Sequence, residues 1–318
     1  MPIEARYHEQ VRLLVSLLPF LNDEPCFALK GGTAINLFVQ PLPRLSVDID
    51  LAYLPLEPRD EALRRCREAL QRLTGTFTAR LPGVRAELQD NRRDELRILV
   101  RRGRSQVKVE VSPVLRGTLH PPQERDVVEA VEEDYGFAAV RVVSLPDLYG
   151  GKICAALDRQ HPRDLFDVKL LLNQGGLDRS VFEGFLVYLL GHPRPLNEVI
   201  NPRIKSLDDV YRQEFVGMAR IDLPLQVLVS VRDELLSRLG QLMTDGDVRF
   251  LLSFKQGTPD WTLFPLTGVD RLPAVRWKLA NIQKMKPDKH RHSLALLEQA
   301  LGSLRRWRLI PPAMYRPK

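Results

Sequence analysis

Apolar positions along the chain change their period near residue 145. Before that point, helical and alternating patterns are mixed. Val11, Leu14, Val15, Leu18 and Leu21 recur at helical spacing and predict an amphipathic helix over 4–21. Phe27-Ala28-Leu29 predicts a short buried strand, Gly31-Gly32 breaks it, and 33–39 predicts a helix. Val47-Asp48-Ile49-Asp50-Leu51 has period two. As a strand it sets Asp48 and Asp50 on one face and the three apolar residues on the other. Leu42-Pro43-Arg44 is a loop between these elements. Pro55 and Pro58 end the strand region, and 59–73 predicts a helix. Strand-like runs follow at 77–81, 98–101, 107–111 and 140–143.

After residue 144 the period is helical throughout. Ser144 with Asp147 three residues on resembles a capping box, and helical patterns cover 145–159, 163–173, 179–189, 206–219, 224–240, 244–254 and 287–306. Gly175-Gly176, 193–202 and 257–259 punctuate them. The expectation is an α+β protein, with a strand-rich domain over 1–145 and a helical domain over 146–318.

Composition narrows the class. The chain has 318 residues, enough for a sizeable core and about two domains. Hydrophobic content of 44% with 27% charged residues is that of a soluble globular protein, and no apolar run approaches the roughly 20 residues a membrane span needs. The start, Met-Pro-Ile-Glu-Ala-Arg, does not read as a signal peptide. Cys26, Cys66 and Cys154 fit neither a zinc spacing nor a disulfide framework. They read as reduced core thiols, so a cytoplasmic protein is expected. Net charge is +7, but residues 271–318 hold 12 Lys+Arg against 2 Asp+Glu, leaving the remainder acidic. Lys284, Lys286, Lys289 and Arg291, then Arg305, Arg306 and Arg308 around Trp307, form a surface suited to nucleic acid or to simple solvation of a helix. Arg85, Arg92, Arg93, Arg97, Arg101, Arg102 and Arg104 crowd the strand section.

The candidate chemistry begins with Gly31-Gly32-Thr33. Glycines allow an anion close to the backbone, and a helix N-terminus offers unpaired amides. One element later, Asp48 and Asp50 repel each other unless a cation lies between them. Their hard oxygens suit Mg²⁺, which draws its remaining ligands from water and substrate phosphates. Together these features point to an enzyme that handles a nucleoside triphosphate. Gln106-Val107-Lys108-Val109-Glu110-Val111 alternates as well and sets Lys108 and Glu110 on one face. Glu110 is therefore a candidate third carboxylate, for a metal or for a proton. In Leu148-Tyr149-Gly150-Gly151-Lys152 two glycines inside a helix require a close approach by another element or a ligand. Lys152, among apolar residues, needs an anion: a triphosphate, or a carboxylate nearby. Asp164 and Asp167 share a face of the helix opened by His161-Pro162, where acids also suit the helix dipole.

Four runs in this order, Lys30-Gly-Gly-Thr-Ala-Ile-Asn-Leu-Phe38, Arg44-Leu-Ser-Val-Asp-Ile-Asp-Leu51, Gly151-Lys152-Ile and Arg163-Asp164-Leu-Phe-Asp167, resemble the AbiEii/AbiGii toxin family over about residues 27–173. The resemblance implies a DNA-polymerase-β-like nucleotidyltransferase core with a mixed sheet and flanking helices, followed by a helical C-terminal domain. It implies toxin–antitoxin or phage-defence biology, with a cognate antitoxin encoded nearby. It implies Mg²⁺-dependent transfer of a nucleoside monophosphate from an NTP, with pyrophosphate leaving. The implied RNA acceptor is the 3′ end of tRNA, and the effect a block on translation. Carried over by position, Gly31, Gly32 and Thr33 form the phosphate turn and Ser46 holds the loop or a phosphate. Asp48 and Asp50 hold Mg²⁺, Lys152 contacts the triphosphate, and Asp164 is the late essential carboxylate with Asp167 behind it. The wider superfamily has Gly-Ser at the turn, whereas this chain has Gly-Gly-Thr. Glu110 matches a superfamily third acid by location only. Two other readings are a nucleotidyltransferase acting on a protein or small molecule, and a non-catalytic nucleic-acid-binding regulator of the same fold.

Overall fold

The computed structural model describes residues 5–89, 96–221 and 223–307. The chain forms two compact units, one of residues 1–144 with 216–222, the other of 145–215 with 223–318.

The first unit is built on a seven-stranded mixed sheet. Its strands are β1 (Phe27–Lys30), β2 (Asp48–Tyr53), β3 (Val84–Gln89), β4 (Arg97–Arg102), β5 (Ser105–Arg116), β6 (Gln123–Asp126) and β7 (Ala139–Val142), in the spatial order β3-β4-β5-β2-β1-β7-β6. β2 runs parallel to β5 and antiparallel to β1, and β1 runs parallel to β7. One face is the core: Leu29, Ile49, Leu51, Ile98, Val100, Val107 and Val109 are fully buried there. The helices of this unit are α1 (Ala5–Leu17), α2 (Gly31–Phe38), α3 (Arg59–Arg80) and α4 (Glu129–Tyr135). α1 packs against β5 and α3 against β3. The period-two alternation therefore separates a buried apolar side of the sheet from an open polar one.

Of residues 77–81, expected as a strand, 77–80 continue α3 instead and Leu81 caps it. Phe77 falls on the buried stripe of Ala62, Leu63, Cys66, Ala69, Leu70 and Leu73, so the helix runs on to Arg80, past the expected stop at residue 73. The strand that does occur is β3, and β6 was not foreseen because Gln-Glu-Arg-Asp carries no apolar alternation. Residues 216–219, expected in a helix, leave it and join the first unit. Leu45 N–H donates to the Met218 carbonyl at 2.7 Å, Arg220 N–H donates to the Pro43 carbonyl at 2.8 Å, and Arg44 and Ala219 form an isolated antiparallel bridge.

The second unit is helical: α5 (Leu145–Arg159), α6 (Pro162–Asn173), α7 (Arg179–Leu190), α8 (Leu196–Ile200), α9 (Asp208–Glu214), α10 (Leu225–Leu242), α11 (Asp245–Gln256), α12 (Pro273–Gln283) and α13 (Pro287–Trp307). α5 lies along α7, and the crossing explains the glycines of α5. A Cβ on Gly150 would stand 2.4 Å from the Gly184 carbonyl carbon, and one on Gly184 would stand 2.2 Å from the Pro146 oxygen. Gly151 faces the Tyr188 ring at 3.1 Å. The close approach is therefore made by another helix. The thiol of Cys66 is buried and pushed up to about 12, that of Cys26 to about 11, in both cases chiefly by burial, and no cysteine is paired. Among the described residues no helix is long and apolar enough to cross a membrane.

Candidate active site

β1 ends at Lys30 in extended backbone, and Gly31 turns the chain with φ +77° into α2. Only glycine adopts that turn without strain. Space requires glycine too: a Cβ on Gly31 would lie 2.5 Å from Asp50 Oδ2, and one on Gly32 2.9 Å from both an Arg44 guanidinium nitrogen and Ser46 Oγ. The turn, the β2 carboxylate and the 44–46 loop thus meet at the first amides of α2.

The register of the sheet carries the site outward. Lys30, Asp50, Glu110 and Arg97 stand opposite one another on β1, β2, β5 and β4, and Asp48 stands opposite Lys108. Glu110 is thereby placed beside Asp50, on the same open face as Asp48. Its Oε1 lies 2.6 Å from Arg97 Nε. Burial pulls the Lys30 ammonium down from its ordinary value, and the Asp50 charge opposes that shift.

The Thr33 hydroxyl, expected at the phosphates, is fully buried. It donates to the Asp48 carbonyl at 2.5 Å and shares a hydrogen bond with Ser46 Oγ at 3.0 Å. Its role here is to tie the first turn of α2 to the start of β2 and fix where Asp48 emerges.

Asp48 and Asp50 fit Mg²⁺ by donor chemistry, as two half-buried hard carboxylates one residue apart on one face. Among the described residues no group of three or more His, Cys, Asp or Glu is arranged to hold a metal ion. Mg²⁺ does not require such a cage, because one or two carboxylates suffice when substrate phosphates complete its shell.

In the second unit Lys152, Asp164 and Asp167 come together. Lys152 Nζ lies 2.9 Å from Asp164 Oδ1 and 3.0 Å from Asp167 Oδ2. The three are 8%, 2% and 0% exposed. Arg159 adds a second cation, donating to both oxygens of Asp164 at 3.0 and 2.8 Å. Of the two anions that the sequence leaves open for Lys152, a triphosphate or a carboxylate nearby, the structure places two carboxylates against the buried ammonium. His161 caps α6, its Nδ1 accepting from Arg163 N–H at 3.1 Å, with Pro162 in the first turn.

The basic C-terminal stretch is only partly free surface. Lys278 is buried, donates to the carbonyls of His192 and Arg194, and is lowered to about 8, chiefly by burial. Arg291 pairs with Asp288, and Arg305 with Asp245. Lys284, Lys286 and Lys289 are exposed, and Arg308 lies outside the described residues.

Two residues near the turn carried no assigned role in the sequence reading. Lys30 becomes significant only through its cross-strand register with Asp50, which a single sequence does not reveal. Arg44 is buried at Gly32 and donates to the Leu45 carbonyl at 2.7 Å. Its signal was a lone cation in the apolar run Leu42-Pro43-Arg44-Leu45.

Comparison with known proteins bears on the fold and the family. MenT4, a nucleotidyltransferase toxin from Mycobacterium tuberculosis, superposes with a TM-score of 0.53 over 95% of each chain at 16% identity, a likeness of fold. No curated protein sequence matches the chain. The family model described as nucleotidyl transferase AbiEii toxin, type IV toxin–antitoxin system, matches residues 12–281. The chain therefore belongs to the AbiEii nucleotidyltransferase toxin family, whose membership in type IV toxin–antitoxin systems implies a nucleotide substrate and an antitoxin counterpart.

Proposed function

We propose that this protein transfers a nucleoside monophosphate from an NTP to the 3′ end of tRNA, releasing pyrophosphate and blocking translation. The observation that carries the reading is the meeting of Gly31 with Asp50 on the face shared by Asp48 and Glu110. The amides opening α2 receive the β- and γ-phosphates at the positive end of the helix. Asp48 and Asp50 hold Mg²⁺, which when bound neutralises phosphate charge and lowers the barrier to in-line displacement. Thr33 and Ser46 keep Asp48 in place through the hydrogen bonds described above.

The acceptor hydroxyl oxygen attacks the α-phosphorus and forms the new P–O bond. The bond from the α-phosphorus to the bridging oxygen breaks, and its electron pair leaves with pyrophosphate. The hydroxyl proton passes to Glu110 Oε2, the oxygen not held against Arg97 Nε. Lys152 and Asp164 act in this proposal as a charge-balanced pair, with Asp167 holding the ammonium and Arg159 holding the Asp164 carboxylate. The exposed lysines of 284–289 supply attraction for a polyanionic acceptor.

The test is incubation with total bacterial tRNA, Mg²⁺ and each α-labelled NTP in turn, beside an Asp48→Ala control. Label in the tRNA band from one NTP, absent in the control, supports the reading and names the nucleotide. Equal label in the control overturns the site. Label that appears only on protein or small molecules overturns the tRNA acceptor.

A further inference from the structure

The open face of the sheet continues past the carboxylates toward the β3 edge, and there it becomes cationic. Lys108 stands opposite Asp48, Leu99 opposite Lys108, and Arg101 two residues along β4 from Leu99. Arg85 on β3 stands directly opposite Arg101. These positions share one face because each differs from its neighbour by two residues or by a direct cross-strand pairing. Arg85 and Arg101 are exposed and Lys108 half-buried. Among the described residues Arg85 and Lys108 have no hydrogen-bond or ion-pair partner. Arg101 donates only to the neutral Gln106 side chain, at 3.1 Å. Glu87, the acid nearest the two arginines on this face, lies two residues along β3 from Arg85, stands opposite Leu99 and forms no ion pair among the described residues.

Like charges directly opposite on neighbouring strands are destabilising. Among the described residues no carboxylate forms an ion pair with Arg85 or Arg101, so the face is one that gains from an external polyanion. Strand order says which substrate it serves. β5, β4 and β3 lie on one side of β2, while β1 and the glycine turn lie on the other. The carboxylates therefore divide the sheet into a triphosphate side and a cationic side.

We infer that Lys108, Arg101 and Arg85 form a strip that holds the phosphodiester backbone of the single-stranded 3′ end of an RNA acceptor and directs its terminal hydroxyl to Asp48 and Asp50. The inference rests on the proposed transfer reaction. Diagonal and directly opposed side chains on a sheet are roughly 7–8 Å and 5 Å apart, which gives a graded line of contacts instead of one point charge. No aromatic side chain stands on this part of the face, so the strip grips backbone and tolerates sequence.

The experiment measures binding of total bacterial tRNA to the full-length protein without NTP, across a KCl series, for the wild type and for Arg85→Gln/Arg101→Gln. The slope of log affinity against log salt should become shallower by about 1.4, about 0.7 for each lost contact to a single strand. Affinity near 0.1 M KCl should fall on the order of tenfold, with NTP binding unchanged and melting temperature unchanged or slightly raised as the Arg85–Arg101 repulsion is relieved. tRNA trimmed of its 3′-terminal single strand should bind the wild type as weakly as the variant does, with no further loss in the variant. Equal affinity and slope for wild type and variant overturn the strip, as does a wild type that binds no tRNA. A wild type that binds tRNA through these arginines yet labels none removes the transfer reading and leaves the strip. A variant that labels tRNA with unchanged affinity removes the strip and leaves the transfer reading.

Discussion

Asp50 Oδ2 stands 2.5 Å from the point where Gly31 would carry a Cβ, so the glycine turn and the carboxylate strand occupy each other's space. Gly31→Ala must move one of them. The positive φ adds about 1–2 kcal/mol of backbone strain. We expect Gly31→Ala to lower the melting temperature modestly and to cut nucleotide transfer by on the order of 100-fold, since a displacement near 1 Å is enough to misalign the reacting groups. Transfer at the wild-type rate would show that the contact has no part in positioning Asp50.

Asp48→Asn removes one of two neighbouring charges on an open face and leaves the Asp48 backbone carbonyl that Thr33 binds. Stability should hold or rise slightly, while transfer falls by roughly 1000-fold. Calorimetry with a labelled-NTP assay on the same sample checks both halves.

Lys152 offers a test between structure and substrate. Lys152→Met would take the Lys152 ammonium away from the buried Asp167, while Arg159 still serves Asp164. Removing one partner of a buried pair costs about 3–5 kcal/mol. A marked fall in denaturation midpoint is expected even without nucleotide. An unchanged midpoint would mean that the ammonium is not needed by the fold and would return it to the phosphates.

Acid sensitivity should centre on Asp247. It is buried, caps α11 through Thr244 and pairs with Arg179 at 2.7 Å. Burial alone would raise its carboxyl, but the hydrogen bonds from Arg179 and Thr244 outweigh burial and hold it below the ordinary 3.8. A folded-state pKa below the unfolded one gives stability that is present above about pH 4 and lost as pH falls through the folded value. Asp247→Asn should therefore cost on the order of 2 kcal/mol at pH 6. The gap from the wild type should close in urea titrations below pH 4.

The α5–α7 crossing admits no side chain. Gly184→Ala would press a methyl to 2.2 Å from the Pro146 oxygen, a backbone atom that no rotamer can clear. A loss of about 2–3 kcal/mol is expected, read as a lower thermal midpoint. Gly302→Ala, inside α13 where nothing lies within 4 Å, is the control and should hold or gain up to about 1 kcal/mol.

Legibility in the sequence followed the physics of each signal. The Asp48–Asp50 strand and the Gly31-Gly32 turn were readable because period two and paired glycines are local properties. So were the capped start of α6 at His161-Pro162 and the family resemblance carried by the four runs. Glu110 could be assigned to a strand face, but its place beside Asp50 depends on parallel pairing between strands far apart in the chain. The partner of Gly150 was hidden for the same reason, since Gly184 sits 34 residues on, inside an otherwise ordinary apolar helix. α12 passed unnoticed because 273–283 mixes Pro, Arg, Trp and Lys without a clear stripe. Thr33 shows a subtler gap between sequence and packing. A hydroxyl at a glycine turn suits a phosphate, and only packing shows that it bonds the next strand instead.

The return of residues 216–222 to the first unit has a consequence for synthesis on the ribosome. The loop that precedes Asp48 leaves the Leu45 amide and the Pro43 carbonyl without their backbone partners until Met218 and Arg220 have been made. An emerging chain can collapse its first 144 residues early, as N-terminal units generally do. It cannot complete the loop that carries Arg44 and Ser46 until α5 through α9 have also been translated. The first unit would thus reach its finished form late in its own production, and under the proposed function a fragment ending at residue 144 should bind nucleotide poorly however well it folds.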